Sequence, residues 1–220
     1  MLRFQAFYRD AYGLLHEPSA DARALEQRVA ALDARLVELQ RETQATWIHS
    51  VHWIAVLCLL GRFEQADAHA EALGAQADAV GSPGVHLCDF TFYRGLTAAV
   101  RGRRRSARAC LGRLRAWARN GPGFAHMAEL IEAELERARG RSTRALELYA
   151  RAARGAAAQS FVQHAALAHE RRAELFAATA QPLEAARALR EATQLYALWE
   201  AHTRVRELKA RRAELAPAPR

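Results

Sequence analysis

Apolar residues recur along almost the whole chain at three- and four-residue spacing, the period of a helix with one buried face. Leu25, Val29, Leu32, Leu36 and Leu39 mark one such stripe. Trp47 to Leu60 and Phe124 to Ala138 are denser ones, and Leu146, Tyr149 and Ala153, then Leu189, Leu195 and Tyr196, continue the pattern. No stretch alternates with a period of two, so no strand is predicted. Between the stripes lie breaker clusters: Ala79-Val-Gly-Ser-Pro-Gly84, Asn120-Gly-Pro-Gly123 and the small-residue run Gly155 to Ser160.

A shorter signal repeats inside this pattern. A turn is followed five residues later by Ala in Gly61-Arg-Phe-Glu-Gln-Ala66, Gly102-Arg-Arg-Arg-Ser-Ala107, Gly140-Arg-Ser-Thr-Arg-Ala145 and Ala180-Gln-Pro-Leu-Glu-Ala185. The offsets are 41, 38 and 40 residues. Glycine closing a first helix takes the left-handed cap conformation at no steric cost, and a small Ala early in the second helix lets the two approach. In the fourth unit Pro182 falls in the first helical turn, where no amide is needed. One hairpin cannot bury its own apolar stripe, so neighbours must stack.

The predicted architecture is all-α: a superhelical array of about four antiparallel hairpins, at 44–80, 84–119, 123–158 and 160–199, within an array domain of 44–215. Residues 1–43 supply N-terminal cap helices, one at 2–15 and one near 20–43 after Pro18. A terminal helix covers 202–215 and a disordered tail 216–220. The aromatic first helix, with Phe4, Phe7, Tyr8 and Tyr12, is expected either to cap the stack or to pair with a second chain.

Certain residues carry a resemblance. Trp117-Ala-Arg-Asn-Gly-Pro-Gly-Phe-Ala-His126, Ile131-Glu-Ala-Glu134, Gly140, Ala145-Leu-Glu-Leu-Tyr149, Ala166-Leu-Ala-His-Glu170, Leu175-Phe176, Ala185 and Tyr196-Ala-Leu-Trp199, with Phe90-Thr-Phe-Tyr-Arg94 upstream, form the set. Together they resemble the tetratricopeptide-like repeat region of large bacterial signalling proteins, which also carry serine/threonine-kinase, AAA-type ATPase, GAF and histidine-kinase modules. The resemblance spans about 85–210 and none of the catalytic motifs. It implies a non-catalytic protein-interaction or regulatory scaffold in bacterial signal transduction, with a kinase or ATPase module as partner.

Composition agrees with helices, since Ala, Leu and Arg dominate. Lys209 is the only lysine, and its setting fits neither a phosphate-binding loop nor a kinase strand. No nucleotide cofactor is therefore expected. The longest apolar run, Trp53 to Leu60, is far short of the ~20 residues a membrane span needs. Arg3, Arg9 and Asp10 break up the N-terminal apolar residues, so a cytoplasmic location without membrane contact is expected.

Net charge is +8, but it is not spread evenly. From Phe90 to Met127 there is no acid and there are nine arginines; the remainder is close to neutral. Arg104, Arg108, Arg115 and Arg119 share one sector of a helix whose other side holds Leu111, Leu114, Trp117 and Ala118. Arg101, Arg104, Arg105, Arg108, Arg115 and Arg119 are accordingly the candidate partner-binding residues. Three readings stay open: a solvated face, a dock for an acidic protein, or a nucleic-acid-associated surface on the Arg-rich hairpin 101–119.

Other chemistry is sparse. Cys58, Cys88 and Cys110 lie among apolar helical residues without metal-ligand spacing. His49 and His52, His164 and His169, and Asp67 with His69 lack a completing ligand set, so no metal is expected. Glu132 and Glu134 are expected to pair on the helix surface with Arg139 and Arg137. No nucleophile context appears, so an enzyme is not expected. Trp47, Trp53, Trp117, Trp199, Tyr93, Tyr149 and Tyr196 are read as wedges between hairpins, or as walls of a groove. A cleft beside the N-terminal helices that senses a small molecule is a further alternative.

Overall fold

A computed structural model of the chain describes residues 2–17, 21–42, 46–80 and 85–215. Among these the regular structure is all helical: α1 (Leu2–His16), α2 (Ala22–Glu42), α3 (Thr46–Leu59), α4 (Phe63–Val80), α5 (Val85–Val100), α6 (Arg104–Ala118), α7 (Ala125–Arg137), α8 (Ser142–Ala158), α9 (Val162–Ala178), α10 (Pro182–Leu198) and α11 (His202–Glu214). A 3-10 turn at Pro122–Phe124 leads into α7. Pro18, the breaks at 43–45 and 81–84 and the expected tail at 216–220 lie outside the described residues. The run from Gly155 is mostly helix rather than a breaker, because its alanines are strong helix formers; Ser160 makes the turn instead.

The four predicted turns close in one way. The Arg62 amide donates back to Leu57 O at 2.8 Å, Arg103 to Ala98 O at 2.7 Å, Arg141 to Glu136 O at 3.0 Å and Gln181 to Phe176 O at 2.9 Å. Each bond spans a left-handed residue, with φ of 74° at Gly61, 77° at Gly102 and 74° at Gly140. Ala180 holds the same place at φ 56°, which a Cβ makes costlier by roughly 1–2 kcal/mol. Ala66, Ala107, Ala145 and Ala185, five residues into each unit, are fully buried.

Packing follows from these turns. Consecutive helices lie against each other, α3 with α4, α5 with α6, α7 with α8 and α9 with α10. The first members also touch in series, α3 on α5, α5 on α7 and α7 on α9, and α4, α6, α8 and α10 each reach the following helix. The core runs along α3, α5, α7 and α9. Trp53, Phe92, Ile131 and Leu167 are among its buried side chains.

Gly95 allows the closest approach. A Cβ there would stand 2.5 Å from Ile131 Cδ1 on α7 and 2.7 Å from Cys110 Cβ on α6. Gly95→Ala is therefore expected to destabilise the fold by about 1–3 kcal/mol through overpacking, against the roughly 1 kcal/mol that Ala gains elsewhere in a helix. Urea unfolding of the variant checks it; a gain in stability would mean the three helices separate without penalty.

The two ends of the described chain meet. Helix α1 packs on α3 and on α11. Thr203 Oγ1 donates to Leu14 O at 2.7 Å, and the His16 ring bonds Glu200 O at 2.9 Å. Phe7 is buried, edge-on to Trp53 with ring centres 6.0 Å apart. The first helix thus caps α3 and closes onto the last helix. Phe4 lies outside the described side chains.

Candidate functional site

Helix α6 buries Ala107, Cys110, Leu111 and Leu114 and turns its arginines outward, as their spacing requires. Space then supplies the acids that the sequence lacks there. Arg101 pairs with Glu64 of α4 at 3.1 Å. Arg103 holds Asp67 and Glu71, the latter at 2.6 Å, and Arg94 reaches Glu71 at 3.2 Å. Burial pushes the Glu71 carboxyl up, but Arg103 and Arg94 outweigh it and hold it below the usual carboxylate range. Arg115 pairs with Glu132 of α7 at 2.7 Å, and Arg104 donates to Ala138 O at the end of α7 at 3.1 Å. Arg113 lies 5.6 Å from the ring centre of half-buried Trp117.

Of the six candidate residues, then, Arg101, Arg104 and Arg115 have partners. Arg105, Arg108 and Arg119 are exposed, with no partner among the described residues. At about 100° per residue these three fall in one sector of about 60°, spread over about 20 Å of helix. Exposed Gly112 sits between them, and α6 carries no acid. Arg103, Arg104, Arg105, Ser106 and Ala109 line an open depression of about 500 Å³ at the same end of the helix.

A second charged cluster is buried, and sequence spacing did not find it. Glu134 on α7 was expected to meet Arg137 at the surface; instead it is 3% exposed and takes a two-pronged bond from Arg171 of α9, at 2.6 and 3.1 Å. Arg171 also holds Glu174 and lies 4.9 Å over the Phe63 ring. Arg137 turns to Glu174 at 3.4 Å, Arg139 to Glu136 and Glu132 to Arg115. The surface pairing fails because α7 lies between α5, α6, α8 and α9, and its carboxylates meet cations on its neighbours.

One turn along α9, buried Glu170 bonds Arg204 of α11 and accepts from Tyr196 Oη at 3.2 Å. Arg204 reaches on to Leu60 O at 3.3 Å. Arg211 stands 3.6 Å from Glu170 and 3.7 Å from Glu174. The cluster thus ties α7, α9 and α11 to the turn after α3, where the chain closes. Its acids are all matched by guanidinium groups, which give up no proton near neutral pH. It supplies cohesion and charge balance rather than an acid–base pair.

The histidines form hydrogen-bonded chains. Tyr93 Oη meets His164 Nε2 at 3.0 Å, and His164 Nδ1 meets His126 Nε2 at 3.0 Å. Phe161 stacks on His164 with ring centres 5.2 Å apart. Burial drives the His164 pKa down to about 3, with His126 adding to it, and burial brings His126 down to about 4. Tyr12 Oη bonds His52 Nδ1 at 2.9 Å, and burial with His86 and His49 nearby lowers His52 to about 4. His69 bonds Asp33 at 2.8 Å while Asp67 faces Arg103, and His169 meets Glu191 at 2.8 Å.

Among the described residues no three His, Cys, Asp or Glu side chains gather as metal ligands, and no helix is long and apolar enough to cross a membrane. Cys58 and Cys110 are buried thiols and Cys88 is half-buried. Trp47, Trp53, Tyr93, Tyr149 and Tyr196 are core residues, whereas Trp117 and Trp199 are half-buried. The hollow bounded by Asp10, Arg28 and Arg35 beside α1 and α2 measures about 230 Å³, below the ~300–1,000 Å³ of typical ligand pockets. No family model and no curated protein matches this chain.

Proposed function

We propose that the chain is a tetratricopeptide-like superhelical array serving as a non-catalytic interaction or regulatory scaffold in signal transduction, and that it docks an acidic partner on the outer face of α6. The observation that carries this reading is the row Arg105, Arg108 and Arg119, exposed and unpaired while Arg101, Arg103 and Arg115 nearby are paired with carboxylates and Arg104 with a carbonyl. Three like charges held in one sector repel each other and are relieved by an anionic surface. An acidic face on a kinase or ATPase module is the partner chemistry that the sequence resemblance favours. The recurrent turns and the small buried Ala of each unit support the array reading.

The same three arginines would neutralise phosphates, so nucleic acid is the competing ligand. The triple variant Arg105→Glu/Arg108→Glu/Arg119→Glu is expected to fold like the parent, since its residues are exposed, and to weaken capture of an acidic protein partner at least tenfold. Binding to duplex DNA and single-stranded RNA of mixed sequence, measured against salt, separates the readings. A log–log salt slope near −0.9 per neutralised phosphate on the duplex, or about −0.7 on the single strand, removed by the triple change, would favour nucleic acid. A partner retained in full by the variant would sink the α6 reading.

A further inference from the structure

Helix α11 repeats the register of α7 and α9. Arg171-Arg-Ala-Glu-Leu175 and Arg211-Arg-Ala-Glu-Leu215 are identical and 40 residues apart, and Ala133-Glu-Leu135 lies 40 residues before the first. By that register α11 is the first helix of a further hairpin rather than a simple cap. Its environment differs from its equivalents in one respect. On α7, Glu129 pairs with Arg151 of α8; on α9, His169 meets Glu191 and Glu170 meets Tyr196, both of α10. The corresponding residues of α11, Lys209 and Ala210, are exposed, and no helix covers them among the described residues. Ala133 and Ala173 are buried; Ala213 is exposed.

Beside this bare face, α10 contributes Leu183, 70% exposed, along with Ala186 and Arg190. Together with Lys209, Arg212 and Ala213 they bound a groove of about 680 Å³ with small apolar walls and a cationic rim. Arg187 at the rim has Glu184 at 3.0 Å, but Arg190, Lys209 and Arg212 form no ion pair among the described residues. The geometry points to a docking site for one occupant: an acidic amphipathic helix of a partner protein, lying where a second hairpin helix would lie. Its small or aliphatic face would meet Leu183 and Ala213, and a carboxylate would meet Lys209 as Glu191 meets His169. A second copy docking through the same face would set Arg190, Lys209 and Arg212 against their own kind, which charge opposes.

This site stands apart from α6, so the two proposals fail separately. The probe is a fluorescent 17-residue peptide with the α10 sequence, Pro182–Leu198, carrying Arg187→Glu and Arg190→Glu. Anisotropy with the full chain is expected to show saturable binding, weakened at least tenfold by Lys209→Glu/Arg212→Glu and by Leu183→Asp in the protein. The variant altered at Arg105, Arg108 and Arg119 is expected to bind the peptide as the parent does. No binding, equal binding to the charge-reversed protein, or equal binding of a scrambled peptide would overturn the proposal. So would a dimer in sedimentation that dissociates on Lys209→Glu/Arg212→Glu, since a second copy would then be the occupant.

Discussion

Replacing Arg171 with Met is expected to reduce the free energy of unfolding by about 3–5 kcal/mol. The side chain is buried, and its guanidinium is the only cation in a two-pronged bond with Glu134, itself 3% exposed. Met fills most of the volume but leaves the carboxylate desolvated without its counter-ion. Domains of this size hold about 5–15 kcal/mol in total, so the variant would sit near its unfolding threshold at room temperature. Adding Glu134→Gln should restore part of the loss, because the orphaned charge is removed; the coupling in that double-mutant cycle isolates the pair. Arg171→Lys keeps the charge but loses the fork, and should fall between. An unfolding free energy from urea denaturation for Arg171→Met within about 1 kcal/mol of the parent would show that the cluster contributes little to holding α7 against α9.

Mild acid should weaken the fold well before the carboxylates titrate. His164, His126 and His52 are held at about 3, 4 and 4, against about 6.5 in an unfolded chain. Between those values the unfolded chain binds protons that the native chain refuses, so stability rises with pH across the window. The contribution is complete above about pH 6.5 and is lost as pH falls, by up to about 1.4 kcal/mol per pH unit for each histidine. Going from pH 7 to 5 is thus expected to remove several kcal/mol.

Asp89 runs the other way, since burial holds its carboxyl above the usual range even with His86 nearby, and it offsets part of the loss. Glu134 acts in a lower window. Burial pushes it up, Arg171 outweighs that, and its net lowered pKa gives stability that is present above about pH 4.3 and lost below. Unfolding free energies measured from pH 7.5 to 4.5 check the histidine window. His164→Phe should flatten the curve; an unchanged slope would remove that histidine from the account.

The proposed interaction faces depend on which charges the fold leaves unmatched. Reading α6 alone, Arg104, Arg108, Arg115 and Arg119 form a stripe, and its position on the outer side of the helix is right. Its membership changes in space: Glu132 takes Arg115 and the Ala138 carbonyl takes Arg104, whereas Arg105 joins the unpaired row. The α11 face did have a signal in the chain, the repeated Arg-Arg-Ala-Glu-Leu at 40-residue spacing. What that signal lacked was exposure, which says that Ala213 stands bare where Ala173 does not.

Helices, turns and small contact residues were legible because their causes are local. A 3.6-residue stripe, a left-handed Gly at 61, 102 and 140 and a buried Ala five residues on depend on neighbours within a few positions. The pairing of charges was not legible in this way. Glu134 finds Arg171, Glu170 finds Arg204 and Thr203 finds Leu14 across 37, 34 and 189 residues. Coulomb attraction and desolvation depend on distance and burial, not on order along the chain. The arginine-rich segment is therefore cationic as a sequence and only partly neutralised as a surface: carboxylates of α4 and α7 take Arg94, Arg101, Arg103 and Arg115, and their placement in space decides which arginines remain free.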